Sequence, residues 1–370
     1  MMTDFATAAK ERAMKTRHRF YFSTAAKMSK VPSKSIDLIV TSPPYPMIQM
    51  WDELFTEGRP KVQAALAHEH GDEAFELMHR ALAPVWRECM RVLKWNGIAC
   101  INIGDAVRTI DGDFKLYPNH ARILQAMLEI GFSALPAILW RKQTNAPNKF
   151  MGSGMMPPGA YVTLEHEHVL VFRKGGKREF KRPEEKRNRC ESAYFWEERN
   201  SWFSDIWTDL KGTVQKLADP QARKRSAAFP FELPYRLIHM FSVKGDTVLD
   251  PFLGTGTTSA AAMAAARNSI GYEQDAALEG TILDRTRGIV AFANARIRER
   301  IERHMAFVRE RTAAKGAPKH RNEHYGFPVI TKQESRLMIP PLKRCRILDD
   351  GSVEVRYAEH PERVQADLFQ

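Results

Sequence analysis

The sequence has no long apolar run. None of its 370 residues belongs to a stretch approaching the ~18 apolar positions of a membrane helix. Cysteine is scarce: Cys89, Cys100, Cys190 and Cys345 lie far apart. No pair has zinc-ligand spacing, and so few in such a length make no disulfide framework. The opening stretch MMTDFATAAKERAMKTRHRF lacks the apolar core of a secretory signal. Internal repeats and low-complexity tracts are missing too. These absences predict an intracellular, cytoplasmic protein with no membrane partner. Acidic residues are also in short supply. Against 56 Lys plus Arg stand 44 Asp plus Glu, a formal charge of +12. A surplus of that size points to a polyanion, most simply nucleic acid, with an anionic membrane surface as the competing reading.

What is present is ordinary globular material, 44% hydrophobic and 27% charged. The length suits two domains, or one large α/β domain with insertions, at ~150 residues per domain. Strand-like and helix-like segments alternate, which favours a mostly parallel α/β sheet. Residues 35–41 are a short apolar run stopped by Pro43-Pro44, as a buried strand ending in a rigid loop would be. Residues 75–94 carry apolar side chains at helical spacing, and Asn96-Gly97 predicts their end. A strand is predicted at 98–103, and a helix capped by Asn119 runs to Ile130, ended by Gly131. Further strands are predicted at 135–140 and 168–172.

Residues 141–225 read differently. A Gly/Met/Pro-rich stretch at 148–159 predicts a loop. From Arg173 to Cys190 there are nine basic and three acidic residues, followed by Tyr194, Phe195, Trp196, Trp202, Phe203 and Trp207. Regular α/β texture returns with a helix at 231–241, a strand at 247–250, an Ala-rich helix at 259–267 and a strand at 269–273. A basic helix is predicted over 276–311, then a linker and a tail whose 348–352 stretch suggests a hairpin.

Two stretches carry chemistry. The run Asp250-Pro251-Phe252-Leu253-Gly254-Thr255-Gly256-Thr257 joins a buried strand, a Gly-rich turn and a helix N-terminus. That is a nucleotide-type site, because glycine lets the backbone approach a ligand and a helix start is electropositive. Glu273 ends the following strand, where a carboxylate suits the hydroxyls of a ribose. The turn matches neither the dinucleotide fingerprint nor the ATPase phosphate loop; a ligand-free tight turn is the alternative. The second stretch is Thr41-Ser42-Pro43-Pro44-Tyr45. Two prolines fix the backbone and remove two N–H donors, and an aromatic ring follows. Such a loop can accept hydrogen bonds from an amino group while stacking on a flat ring, although the same letters taken alone are commonly a plain turn.

Together the two resemble the β-group DNA amino-methyltransferases. Ser42-Pro43-Pro44-Tyr45 looks like the catalytic [DNS]-P-P-[YFW] motif, and Asp250 to Gly256 looks like the F-x-G-x-G motif for S-adenosylmethionine. The resemblance covers about residues 20–300. It implies a Rossmann-like S-adenosylmethionine-dependent methyltransferase fold with a mostly parallel sheet, permuted motif order and an inserted target recognition region. It divides the chain into a catalytic half (20–140), a loop and recognition region (141–225), a cofactor-binding half (226–311) and a linker with a C-terminal extension (312–370). It implies Ser42, Pro43, Pro44 and Tyr45 as catalytic. It sets Thr41, Phe229, Pro230, Asp250, Pro251, Phe252, Gly254, Thr255, Gly256, Thr257 and Glu273 around the cofactor, with no metal. Phosphate contacts are expected from Arg173, Lys174, Lys177, Arg178, Lys181, Arg182, Arg223, Lys224 and Arg225, and from the stripe Arg287 to Arg311.

The implied reaction is methyl transfer to an exocyclic amine of a base flipped from double-stranded DNA. Tyr45 would stack on that base, and the Ser42 hydroxyl and Pro43 carbonyl would accept its N–H groups. In the family a first-position serine is commoner among N4-cytosine enzymes and an aspartate among N6-adenine enzymes, so Ser42 favours N4-cytosine, with N6-adenine as the rival. A catalytically inactive DNA-binding protein of the same fold is a more distant one. The setting implied is the prokaryotic cytoplasm or nucleoid, in restriction-modification with a cognate endonuclease or as an orphan methylase. Glu165-His166-Glu167-His168 hints at a metal, but neighbours along a strand face opposite ways, so a strand beginning near the site is the preferred reading.

Overall fold

The computed structural model describes residues 14–142, 151–212 and 229–359. In chain order the strands are β1 (Lys15–Phe22), β2 (Ile36–Thr41), β3 (Leu93–Ile103), β4 (Ala106–Ile110), β5 (Asp113–Tyr117), β6 (Ser133–Arg141), β7 (Met151–Gly152), β8 (Ala160–Tyr161), β9 (His166–Arg173), β10 (Ile206–Trp207), β11 (Thr247–Asp250), β12 (Asn268–Glu273), β13 (His320–Arg321), β14 (Pro328–Val329), β15 (Leu342–Ile347) and β16 (Val353–Tyr357). Ten of them form one sheet in the order β10-β6-β9-β3-β2-β11-β12-β1-β16-β15. The central five, β3-β2-β11-β12-β1, run parallel. β9 and β16 are antiparallel to their inner neighbours, and the strands beyond them, β6, β10 and β15, return to the central direction.

Every residue of β2 is buried, as a strand covered on both faces requires. Past the register shift between Ile36 and Leu38, its side chains alternate between two cores. Leu38 and Val40 point to the face packed by the helices Glu232–Phe241, Thr257–Ala264 and Ile289–Lys315. Ile36 and Ile39 join the other face, under the helices Gly71–Val92 and Asn119–Glu129. Among the described residues no helix is long and apolar enough to cross a membrane.

Four local expectations change. The helix expected to stop at Asn96-Gly97 ends at Val92, and those two residues form a bulge inside β3. Asn96 sits at φ 75°, and its N–H meets the Lys174 carbonyl at 2.7 Å, so strand pairing wins over helix capping. Asn119 begins its helix without capping it; its side chain turns instead toward the Ser42 loop. The basic stretch from Ala276 is three pieces, a turn and the helices Glu279–Arg287 and Ile289–Lys315, parted at Gly288, a poor helix former. The break lets Ile289, Ala293, Ile297 and Ile301 face the core. Finally, the expected C-terminal extension is continuous with the fold: the 348–352 hairpin joins β15 to β16, β16 pairs with β1, and Val353, Val355 and Tyr357 are buried in the main core. β1 has no apolar run to betray it. Its buried Thr16 and His18 are held by hydrogen bonds to Tyr357 and Ser269 at 2.9 and 2.8 Å.

Candidate active site

Parallel neighbours end on the same side of a sheet. β2 finishes at Thr41, β11 at Asp250, β12 at Glu273 and β3 at Ile103, so the loops that follow share one edge. Open α/β sheets bind ligands there. Asp250 is 2% exposed and stitches the edge together. Thr41 Oγ1 and Thr258 Oγ1 each donate to its carboxylate at 2.6 Å, and the Phe252 N–H donates at 3.0 Å. Burial pushes its carboxyl up to about 6. Thr41 and Asp250, expected among the cofactor contacts, therefore spend their side chains on each other.

The glycine turn is built for close approach. Gly254 and Gly256 have φ of 54° and 81°, and a Cβ on Gly254 would meet nothing within 4 Å among the described residues. The Gly254 N–H donates to Glu273 Oε2 at 2.7 Å and the Asp275 N–H to Oε1 at 2.9 Å. Burial raises the Glu273 carboxyl above its ordinary range. Arg285 reaches Thr257 Oγ1 at 3.0 Å and Thr255 Oγ1 at 3.3 Å, bracing the turn. Pro251 is buried, and Phe252 packs edge-on to Trp86. Phe229 and Pro230, both half-buried, lead into the helix Glu232–Phe241, whose far end feeds the start of β11.

Beside this turn stands the Ser42 loop. Pro43 and Pro44 are buried, Ser42 is half-exposed and Tyr45 is 8% exposed. The Tyr45 hydroxyl donates to Glu167 Oε2 at 2.9 Å. It lies 2.9 Å from Asn102 Nδ2 and 3.0 Å from Ser42 Oγ. Asn102 Nδ2 also donates to Glu167 Oε2 at 2.6 Å, and Lys142 Nζ pairs with Glu167 Oε1 at 2.9 Å. Burial and the Glu167 carboxylate drive the Tyr45 phenol well above its usual value, so it stays protonated. Gly104 follows β3, and a Cβ there would come within 2.9 Å of the Tyr45 ring and 3.3 Å of Glu167. Asn119 pins the loop, donating to the carbonyls of Pro46 and Gly104 at 3.0 Å each. Its Oδ1 meets His79 Nε2 at 3.0 Å, and burial lowers His79 to about 4, leaving the ring neutral. Asn102, Gly104, Asn119, Lys142 and Glu167 were not read from the sequence. Only the reading of Glu165 to His168 as a strand beginning near the site hinted at Glu167.

His168 itself joins Asp105 and His120, whose ligand atoms lie within 4.8 Å of one another. His120 Nδ1 is 2.7 Å from Asp105, and the His120 and His168 rings stack at 4.0 Å with an interplanar angle of 12°. Stacked rings turn faces, not nitrogen lone pairs, toward each other. Burial lowers His168 to about 4.

A family model described as DNA methylase matches residues 36–282, from β2 past Glu273. The chain belongs to this DNA methylase family. Type II methyltransferase M.MthZI of Methanothermobacter thermautotrophicus is 50% identical over 347 residues, 94% of this chain and 96% of its own length. Type II methyltransferase M.MjaI of Methanocaldococcus jannaschii is 50% identical over 278 residues, 72% of this chain and 90% of its own. Among solved structures, TTHA0409 of Thermus thermophilus, complexed with S-adenosyl-L-methionine, is similar at 30% identity and a TM-score of 0.58, covering 74% of this chain and 94% of that one. The cytosine-N4-specific PvuII DNA methyltransferase shares the fold at 17% identity and a TM-score of 0.50, covering 74% of this chain and 93% of its own. The similarity to M.MthZI runs beyond the residue 300 limit read from the motifs, as the shared sheet requires.

A DNA methylase needs cations around its pocket, and here the basic run from Arg173 departs from expectation. β9 is antiparallel to β3: His168 pairs with Ile103 and Arg173 with Ile98. Five residues of strand carry Arg173 roughly 16 Å away, to the amino edge of the sheet. There Lys174 Nζ caps the carbonyls of Met90 and Leu93 at 2.5 and 2.7 Å. Arg173 bonds the Gly175 carbonyl, Arg178 grips Asp246 at 2.6 and 3.0 Å, Arg182 pairs with Glu185 and Lys181 with Glu179. Lys177 lines a cleft of about 1120 Å³ on that edge, beside Trp95. Strand polarity, invisible in composition, separates these residues from Ser42. The later stripe is likewise partly spent: Arg287, Arg296 and Arg300 pair with Asp284, Glu232 and Glu198. Arg223, Lys224 and Arg225 lie outside the described residues.

Proposed function

We propose that this DNA methylase transfers a methyl group from S-adenosylmethionine to the exocyclic N4 of cytosine in a specific double-stranded DNA sequence, acting on a base flipped out of the helix. The observation that carries the reading is the meeting at one edge of Ser42, at the end of β2, with the open Gly254 turn and Glu273 across from it. Glu273 is the group to hold the ribose hydroxyls, and Gly254 leaves room for the cofactor to lie against the backbone. When bound, the cofactor supplies an electrophilic methyl group. The chain's own task is positioning, the larger part of catalysis when no covalent enzyme intermediate is needed. Ser42 Oγ and the Pro43 carbonyl accept the two N–H groups of the target amine and direct its lone pair at the methyl group. Serine at the first motif position is the ground for preferring cytosine N4 over adenine N6. The reading places the protein in the prokaryotic cytoplasm or nucleoid, with a restriction endonuclease of the same specificity as its partner or as an orphan methylase.

Mass spectrometry of nucleosides from DNA of cells expressing the protein tests it. N4-methylcytosine is expected, N6-methyladenine would move the target to adenine, and neither would remove the activity itself. In vitro, Ser42→Ala should cut turnover about 100-fold while leaving the cofactor dissociation constant unchanged, since the lost contact is made to the reacting amine.

A further inference from the structure

Stacking on a base needs only the ring of Tyr45, yet its hydroxyl has three polar neighbours and one proton to distribute. A phenol offers one O–H and two lone pairs. Glu167, paired with Lys142 through its other oxygen, accepts only, so the Tyr45 proton goes to Glu167. Asn102 must present its Nδ2 to this centre, because the reverse orientation would set an amide oxygen 2.6 Å from the Glu167 carboxylate. Among the described residues that orientation leaves Asn102 Oδ1 buried without a hydrogen-bond partner, a cost accepted to satisfy the carboxylate. The amide takes one Tyr45 lone pair at 2.9 Å. Only one lone pair remains for Ser42 Oγ, 3.0 Å away, and it can be used only if the serine donates. Ser42 has then committed its single proton inward and turns nothing but lone pairs toward the cleft. An amine carrying two N–H groups requires that polarity.

We propose that Glu167 is the positioning residue that fixes Ser42 as a hydrogen-bond acceptor, acting through Tyr45. The inference rests on the reading of Ser42 as the acceptor for the target amine and deepens it. Glu167 itself touches neither base nor cofactor. It sits on β9, 9% exposed, and closes against Gly104 and Tyr45. Replacement by glutamine keeps size and shape but supplies an NH₂ that can donate to Tyr45. The carboxylate that anchors the Tyr45 proton is then gone, the hydroxyl is free to donate to Ser42 instead, and the Ser42 proton is released toward the cleft, where a donor faces the donors of the amine.

The test is steady-state methylation of a duplex substrate by wild type, Ser42→Ala, Tyr45→Phe, Glu167→Gln and the Ser42→Ala/Glu167→Gln double variant. Cofactor affinity and melting temperature are measured for each. Glu167→Gln should lower kcat about 30-fold or more, with KM for DNA and Kd for S-adenosylmethionine within about twofold of wild type. On the Ser42→Ala background the same change should cost less than about threefold, because its target is already gone. A kcat for Glu167→Gln within about threefold of wild type overturns the proposal, and so does an undiminished loss on the Ser42→Ala background, which marks a merely structural role. If Ser42→Ala turns over at the wild-type rate, the amine contact fails and Glu167 falls with it; if Ser42→Ala is slow and Glu167→Gln is not, only Glu167 falls. Should Glu167→Gln not fold, Tyr45→Phe removes a single oxygen from the same chain: a loss matching that of Ser42→Ala supports the relay and wild-type turnover overturns it.

Discussion

Gly104 shows how little room one residue can have at this site. Its missing Cβ would stand 2.9 Å from the Tyr45 ring, inside any real carbon contact. Gly104→Ala must therefore displace the ring. Displacements near 1 Å cost about 100-fold in positioning catalysis, whereas overpacking costs about 1–3 kcal/mol of stability. Turnover should thus fall by one to two orders of magnitude in a protein that still folds, checked by initial rates beside a urea titration. Unchanged rates would mean that the ring is not held where the base stacks. Glu273→Ala is the matching change on the cofactor side: equilibrium dialysis with labelled S-adenosylmethionine should show weaker binding with the DNA footprint intact.

Between elements, two side chains tie loops to strands. Asn119, at the start of its helix, holds two carbonyls flanking the Tyr45 loop while engaging the neutral His79. Asn119→Ala leaves these buried groups unpaired, at about 2 kcal/mol. It should lower both the urea midpoint and kcat, where loss of stability alone would point to a purely structural tie. Arg178 plays a similar part at the opposite edge, between β9 and β11. It neutralises Asp246 and lies 3.9 Å from Asp37, both nearly buried. Arg178→Ala should destabilise by about 1 kcal/mol, little because the guanidinium is partly exposed, and leave DNA affinity unchanged. A drop in affinity with the fold intact would restore the duplex to that edge.

For the whole molecule, burial of neutral histidines sets the response to acid. His18 is lowered to about 3, His79 and His168 to about 4, and His239 well below the ordinary value, all mainly by burial. Their contribution is complete above the unfolded value of 6.5 and is lost as pH falls, because the unfolded chain takes protons that the folded one refuses. Asp250, raised to about 6, works in the opposite sense between 3.8 and 6, and the raised carboxyls of Asp37 and Glu273 add to it, so the four rings are offset in part. Stability should drop by on the order of 3 kcal/mol from pH 7 to pH 5, read by urea unfolding. His18→Gln should flatten that slope; an unaltered slope would exclude His18 as a source.

Both site motifs were readable because their chemistry is local. A glycine turn at φ 54° and 81°, and a loop stiffened by two prolines, carry their conformational demands in a few adjacent letters. The central strands β2 and β11 were readable because burial on both faces forces an apolar run. β1 was not, since its buried positions are the polar Thr16 and His18, paired across the sheet with residues 341 and 251 positions away. Nor could spacing disclose Glu167, which meets Tyr45 across 122 residues only because β9 runs antiparallel beside β3. The same reversal sends Arg173 to Arg182 to the far edge. By itself the sequence determined the strand ends, the turn and the Ser42 loop. Only the tertiary structure decided which charges stand beside that loop, because strand order and direction are set by packing among distant segments and not by neighbours in the chain.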